Sequence, residues 1–189
     1  DNTRAFEWIG RAIGQGHVDA HVAARASEWI GRAADQGHAG AQFALGKMYA
    51  EGRGVKRDVA QAFEWIGRAA DQGHAGAQFA LDKMYAEGRG VEQDAARAFE
   101  WIGRSAGQGH AEAQFALGEM YAEGRGVKQD NTKAVRWYGQ SAERGCGAAK
   151  ERIDEARRAL ALELDGKAAT LIDEEEQFKM GLAFWVDCR

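Results

Sequence analysis

Apolar residues recur along most of the chain at the three- and four-residue spacing of an amphipathic helix. In one stretch they run up to Glu51-Gly52, and glycine suits the left-handed conformation that ends many helices. Asp58, after a short loop, is a good N-cap for a second periodic run that ends near Gln72-Gly73. The predicted buried positions are Ala41, Ala44, Leu45, Met48 and Tyr49 in the first helix and Val59, Ala62, Phe63, Ile66 and Ala70 in the second. The pattern therefore predicts a helical hairpin.

This hairpin is repeated along the chain. Trp29, Trp65, Trp101 and Trp137 stand 36 residues apart, and the 36-residue segments that begin at Trp29 and Trp65 differ at only five positions. A single hairpin cannot bury its apolar face alone, so neighbouring hairpins must stack to build a continuous core. The sequence predicts an all-α solenoid of antiparallel helical hairpins with a period of 36 residues.

Two features of the repeats bear on helix packing. Gly67, Gly103 and Gly139 recur in the middle of the second helix, where glycine costs about 1 kcal/mol relative to alanine. We therefore expect another helix backbone to approach closely there. Asp82 stands where the neighbouring repeats have glycine, at Gly46 and Gly118. We expect its carboxylate to reach solvent or a partner, and the helices to pack more loosely around it.

These residues carry a family resemblance. The run from Ala41 to Val55, followed by Asp58 and the run from Ala62 to Ala70, resembles the Sel-1-like repeat (SLR), a relative of the tetratricopeptide repeat. The pattern returns at residues 77–106 and 113–142. The resemblance covers residues 1–149 and implies a right-handed α/α superhelix, while the apolar pattern of residues 150–189 predicts a helical C-terminal cap.

Both ends of the array depart from the 36-residue period. Trp8 and Trp29 are only 21 residues apart, which predicts truncated first repeats and one fused helix over residues 17–35. In the tail we predict a helix to Leu164, a break at Asp165-Gly166, and a second helix. The apolar residues on one face of that second helix are Leu171, Phe178, Leu182 and Trp185. This tail would cover the apolar face of the last repeat.

Composition excludes several classes of function. The chain has no proline and a formal net charge of −4, and its excess acidity lies beyond residue 149. No basic stripe is present to neutralise a phosphate backbone, so we expect no nucleic acid partner, and no stretch is apolar enough for membrane insertion. The first residues do not resemble a secretory signal. The compartment stays open between a bacterial cytoplasm and, after removal of a leader, the periplasm or the exterior.

Candidate catalytic and metal-binding residues are few. His17, His38, His74 and His110 each follow Gln-Gly, and we interpret them as polar residues at helix starts. Packed helices lie about 8–10 Å apart, whereas zinc ligands must all reach within about 2 Å of one ion, so we expect neither metal nor cofactor. Ser27, Ser105 and Ser141 occupy second-helix positions that hold Phe or Ala elsewhere, and the two cysteines, Cys146 and Cys188, form no metal-ligand spacing.

The loop between the two helices carries a glycine-arginine pattern. Gly52-Arg53-Gly54-Val55 follows a helix and lacks the ending of a phosphate-binding loop, so we interpret it as a tight turn. Arg53, Arg89 and Arg125 then line one edge of the array. They are predicted to be solvated, with contact to an acidic partner as the alternative.

One face of the first helices is the best candidate for binding. On a helical wheel Phe43, Lys47 and Ala50 lie opposite the buried positions, and the later repeats have Phe79 with Lys83 and Phe115 with Glu119. We call Phe43, Lys47, Phe79, Lys83, Phe115 and Glu119 the first-helix face. An aromatic row with interleaved charge suits a peptide-binding groove. The alternative, that the phenylalanines belong to the core between repeats, stays open.

The resemblance implies a non-enzymatic scaffold or adaptor that binds another protein or a peptide on the concave face, which the first helices line in tetratricopeptide arrays. Toxin-neutralising immunity proteins are a variant of this function. The alternative class is hydrolysis of a β-lactam or peptidoglycan-related substrate, an activity of cysteine-rich SLR members. Those members carry paired cysteines within repeats, and this chain does not.

Overall fold

A computed structural model describes residues 20–166, which form helices and no strand. Eight helices follow one another over this range, and six of them are 13 residues long. They are α1 Ala20–Asp35, α2 Ala39–Glu51, α3 Val59–Asp71, α4 Ala75–Glu87, α5 Ala95–Gly107, α6 Ala111–Glu123, α7 Asn131–Glu143 and α8, residues 147–166. Each helix packs against its neighbours in sequence, as in an α-solenoid. The predicted all-α solenoid is confirmed.

The cap residues set the bounds of the repeated helices. The side chain of Asp58 accepts a hydrogen bond from the backbone N–H of Gln61 at 3.0 Å, and Asp94 and Asp130 cap α5 and α7 in the same way. Gly52 ends α2 with a φ of 70° and donates its N–H to the carbonyl of Met48 at 2.8 Å. Both predicted boundary residues, Asp58 and Gly52, are confirmed.

The core lies between repeats. Each cluster of buried residues joins the second helix of one hairpin to the first helix of the next. For example, Ala62, Ile66 and Ala70 of α3 pack with Ala77 and Leu81 of α4. The corresponding clusters join α1 to α2, α5 to α6 and α7 to α8. Stacking of hairpins therefore buries the apolar faces that a single hairpin would expose.

The close helix approach lies at different glycines from those predicted. A Cβ atom placed on Gly67, Gly103 or Gly139 would meet nothing within 4 Å, so the expectation of a close approach there is wrong. A Cβ on Gly46 would instead lie 2.6 Å from Cγ1 of Ile66 and 3.1 Å from the carbonyl oxygen of Ala62. The tight contact within a hairpin is thus made by the glycine of the first helix.

Helix α8 begins in the register of another first helix. Its Ala149 and Ala156 are buried against Ala134 and Tyr138 of α7. The helix continues through Gly166 at the end of the described range, so the predicted end at Leu164 and break at Asp165-Gly166 are not found. At the other end α1 is continuous from Ala20 to Asp35. Residues 17–19 of the predicted fused helix and Leu171, Phe178, Leu182 and Trp185 of the tail lie outside the described residues.

Buried glutamines link the helices at one edge of the array. The side-chain amide of Gln78 donates to the carbonyl of Ala70 at 3.1 Å, and its Oε1 accepts from Gln108 at 2.8 Å. Gln42 makes the same pair of bonds, with Ala34 and Gln72. Each glutamine therefore ties the first helix of its repeat to the second helices before and after it.

The third position of this series is incomplete. Gln114 donates to the carbonyl of Ala106 at 3.2 Å, but its Oε1 is buried without a donor among the described residues. Residue 144, which corresponds to Gln72 and Gln108, is Arg. Arg144→Gln should supply the missing donor and raise the free energy of unfolding by about 1 kcal/mol. Urea denaturation measures this change.

Arg144→Ala is the control, because it removes the same charge without supplying a donor. We expect no gain in stability from that variant. Equal stabilisation by Gln and Ala would show that loss of the arginine, and not completion of the glutamine series, is responsible.

Candidate functional site

The phenylalanines of the first-helix face lie at the junctions between repeats. The ring centroid of Phe43 is 4.8 Å from that of His74, and Phe79 is 5.1 Å from His110. Phe115 lies 5.6 Å from Tyr138 and packs against the same buried cluster as Cys146, which replaces the histidine. All three phenylalanines are half-buried. Each ring thus contributes to the core between repeats and keeps part of its surface in solvent.

The histidines that meet these rings sit at helix N-termini. Nδ1 of His74 accepts a hydrogen bond from the N–H of Ala77 at 3.1 Å, and Nδ1 of His110 accepts from Ala113 at 3.3 Å. His38 holds the equivalent N-cap position of α2. The interpretation of these residues as polar helix starts is confirmed, while His17 lies outside the described residues. A ring nitrogen that accepts a hydrogen bond carries no proton, so the caps at His74 and His110 use the imidazole tautomer with its proton on Nε2.

Lys47 and Lys83 are the exposed cations of the face. Nζ of Lys83 lies 4.5 Å from the ring centroid of Phe79, and Nζ of Lys47 lies 5.8 Å from that of Phe43. Within residues 20–166 neither lysine forms an ion pair. Each phenylalanine-lysine pair therefore presents an apolar surface and an exposed positive charge side by side.

The nearest glutamates in sequence are occupied by the loop arginines. Glu51 pairs with Arg53 at 3.0 Å and Glu87 with Arg89 at 3.4 Å, although both glutamates stand four residues after a lysine. Arg125 pairs with Glu123 in the same way. These arginines are exposed, as predicted for solvated loop positions. The pairing leaves these two glutamates unavailable to Lys47 and Lys83.

The third repeat has a different charge pattern on the first-helix face. Glu119 replaces the lysine and pairs with Arg152 of α8 at 3.1 Å, and Arg152 also bonds Glu155 at 2.8 Å. Hydrogen bonds to Glu155 and Glu119 raise the pKa of Arg152. Burial, with Glu119 nearby, raises the pKa of the Tyr138 hydroxyl to about 12. A cavity of about 170 Å³ beside Tyr138 is lined by Arg152 and Glu155, and this end of the face has no counterpart of the exposed lysines.

The residues considered for catalysis or metal binding have structural contacts. The hydroxyl of Ser105 donates to the carbonyl of Ala75 at 2.9 Å, and that of Ser141 donates to Ala111 at 2.8 Å, both fully buried. In the described part of the chain no group of three His, Cys, Asp or Glu side chains could hold a metal ion. No helix between residues 20 and 166 is long and apolar enough to cross a bilayer.

Asp82 departs from its predicted surroundings. It is only 7% exposed and makes no hydrogen bond or ion pair within residues 20–166, so of the two expected outcomes a partner is not found there and only slight contact with solvent remains. Burial raises the pKa of its carboxyl from 3.8 to about 6, with Lys83 and Arg125 acting in the opposite direction. The helical wheel could indicate the position but not the missing partner, because only the packed structure shows which side chains reach it.

Comparisons with family models and with solved structures both find the same kind of repeat in this chain. The family model for the Sel1 repeat matches residues 1–17, 10–38, 39–74, 75–110 and 111–146. A search of curated proteins finds no match. Among solved structures, a Sel1 repeat protein from Oxalobacter formigenes is 38% identical, with a TM-score of 0.64, and the alignment covers 67% of this chain and 95% of that chain.

Two further structures resemble this one. A protective antigen of uropathogenic Escherichia coli with an SLR fold is 36% identical, with a TM-score of 0.71 over 80% of this chain, which spans 32% of that longer protein. Cysteine-rich protein B of Helicobacter pylori is 16% identical, with a TM-score of 0.56, over 72% of this chain and 98% of that chain. At that identity the likeness concerns the fold alone.

Proposed function

Because this chain belongs to the Sel1 repeat family, whose members are generally scaffolds for protein interactions, we propose that it is a non-enzymatic adaptor that binds an acidic segment of a partner protein. The segment lies along the first-helix face, on the concave side of the array. The observation that carries this proposal is the repeated pair of a half-buried phenylalanine and an exposed, unpaired lysine at Phe43-Lys47 and Phe79-Lys83.

The phenylalanines supply the apolar part of the contact. Their rings are held between the lysine of the same helix and the histidine at the start of the next first helix. A ring that is already ordered loses little conformational entropy when a ligand covers it. The exposed part of each ring can therefore contact an aliphatic side chain of the partner.

The lysines determine which partner fits. Two exposed positive charges that form no ion pair in the described part of the chain attract a segment of opposite charge and speed its association. The third repeat has no lysine at this position, because Glu119 replaces it and pairs with Arg152. The partner's acidic residues are thus directed to the first two complete hairpins, which gives the bound segment one preferred register.

The spacing of the repeats gives an expected spacing in the partner. Successive first helices meet where Phe43 contacts His74, and we take their separation as roughly 10 Å, the spacing of neighbouring helices. An extended chain advances about 3.3 Å per residue, so acidic residues three positions apart would reach both lysines. The preferred ligand is an extended segment with two acidic residues at this spacing and an apolar residue between them.

The hydrolase alternative has less support. It depends on cysteines paired within repeats, and the cysteine of the described residues, Cys146, is a half-buried free thiol packed against the cluster between α7 and α8. A toxin-neutralising role would use the same first-helix face and differs only in the identity of the partner.

Selection from a random library of 12-residue peptides displayed on phage tests the proposal. The immobilised wild-type chain should enrich peptides with Asp or Glu three residues apart. The Lys47→Glu/Lys83→Glu variant should enrich basic peptides instead, because both side chains are exposed and can be reversed without disturbing the core. Recovery of the same peptides from both proteins, or no enrichment from either, would contradict the proposal.

A further inference from the structure

A carboxylate occupies the tightest helix contact of one hairpin. Gly46 and Gly118 fill this position in the flanking repeats, and a Cβ atom there would lie 2.6 Å from Ile66 or 2.7 Å from the Tyr138 ring. In the α4–α5 hairpin the residue is Asp82, which adds a whole side chain at the same place. The two hairpins α2–α3 and α4–α5 are otherwise nearly identical in sequence, so the difference between them can be assigned to few residues.

The surroundings of Asp82 offer its negative charge little compensation. The residues of α5 that correspond to the Gly46 contacts are Ala98 and Ile102, which are fully buried and carry no ionisable group. On α4 the charged groups near the carboxyl are Lys83 and Glu87. From the loop after α6 comes Arg125, which is already paired with Glu123 at 2.6 Å.

An ionised carboxylate in such a place is costly. A charge removed from water without a hydrogen bond or a paired ion destabilises the state that buries it, whereas a protonated carboxyl is a smaller, neutral polar group. The α4–α5 hairpin can lower this cost by opening, so that more water reaches the carboxylate than its present 7% exposure allows. The α2–α3 hairpin has Gly46 at this position, so it buries no charge there and gains no such stabilisation by opening.

We propose that Asp82 makes the α4–α5 hairpin a pH-sensitive joint in the array. The hairpin is closed when the carboxyl is protonated and opens more readily when it is ionised, while the hairpins on either side keep their packing. The array can then bend or fray at this joint under neutral conditions and stiffen under mildly acidic ones. This property does not depend on the identity of any partner.

The direction of the pH dependence follows from the carboxyl in the two states. With a pKa of about 6 when buried against 3.8 when exposed to water, Asp82 holds its proton longer in the closed hairpin. The closed state is therefore favoured at low pH, loses stability as pH rises from about 4 to 6, and has lost this contribution above that range.

Hydrogen-deuterium exchange at pH 5 and pH 7.5, expressed as protection factors, tests the joint. In the wild-type chain, protection of α4 and α5 should be about tenfold lower at pH 7.5, since pH 5 lies one unit below the pKa of the closed form. Protection of α2 and α3 should change much less.

Two variants separate charge from size. Asp82→Gly restores the residue of the flanking repeats and should raise the protection of α4–α5 at pH 7.5 and remove the difference between the hairpins. Asp82→Asn keeps the volume without the charge and should remove the pH dependence alone. The proposal is overturned if α4–α5 responds to pH as α2–α3 does, or if its excess response survives in either variant.

Discussion

Gly90→Ala is expected to lower the free energy of unfolding by about 3–4 kcal/mol, the largest effect of any single methyl group considered for this chain. Gly90 is the second glycine of the loop between α4 and α5 and has a φ of 74°. A Cβ atom there would lie 2.6 Å from the carbonyl oxygen of Val59, in the preceding repeat. The backbone of one repeat would have to move away from that of the next.

Gly88→Ala is the matched control. Gly88 has a φ of 68° in the same loop, but its Cβ would meet the Gln93 side chain at an ordinary 3.4 Å. Both variants incur the cost of a left-handed alanine, about 1–2 kcal/mol, and only Gly90→Ala adds the clash between repeats. Denaturation midpoints should therefore fall further for Gly90→Ala. Equal losses would show that the loop does not hold adjacent repeats together.

Substitution of glycine by alanine is expected to have opposite effects on stability at two helical positions of the same hairpin. Gly46→Ala should lower the free energy of unfolding by about 2 kcal/mol, because the added methyl group overlaps Ile66 and approaches the backbone of α3. Gly67→Ala should raise it by about 1 kcal/mol, since the site is open and alanine is the better helix former. Both variants add the same atoms to the same hairpin, so the contrast reports the packing at each site.

Thermal or urea denaturation of the two variants gives the contrast directly. If Gly67→Ala proves the more destabilising, the close approach lies in the second helix, as the sequence alone indicated. The assignment of the tight contact to the first helix would then be wrong.

The repeat and its helix bounds could be predicted because they depend on local chemistry. Asp58 and Gly52 are recognisable as caps from their residue types, and the apolar spacing of Leu45 and Ile66 specifies which faces are buried. The role of Gly67 could not be predicted in this way. A recurrent glycine indicates either close approach or mere tolerance, and only the positions of neighbouring backbones distinguish the two.

Less of the candidate site could be predicted from the sequence. The helical wheel placed Phe43 and Phe79 opposite the buried stripe, but it could not show their contacts with His74 and His110, because those histidines begin the next repeat. The glutamine series at Gln42 and Gln78 was also missed. Its signal was present, since a long polar side chain recurs beside Ala41 and Ala77, both fully buried.

The most direct test of the account is the affinity of a selected acidic peptide for two charge-reversed proteins, measured by fluorescence anisotropy. Lys47→Glu/Lys83→Glu should weaken binding by about tenfold or more, which corresponds to about 1.4 kcal/mol. Lys56→Glu/Lys128→Glu changes the net charge equally at exposed loop positions and should leave the affinity within about twofold. If both double variants weaken binding equally, or neither does, the first-helix face is not the binding site.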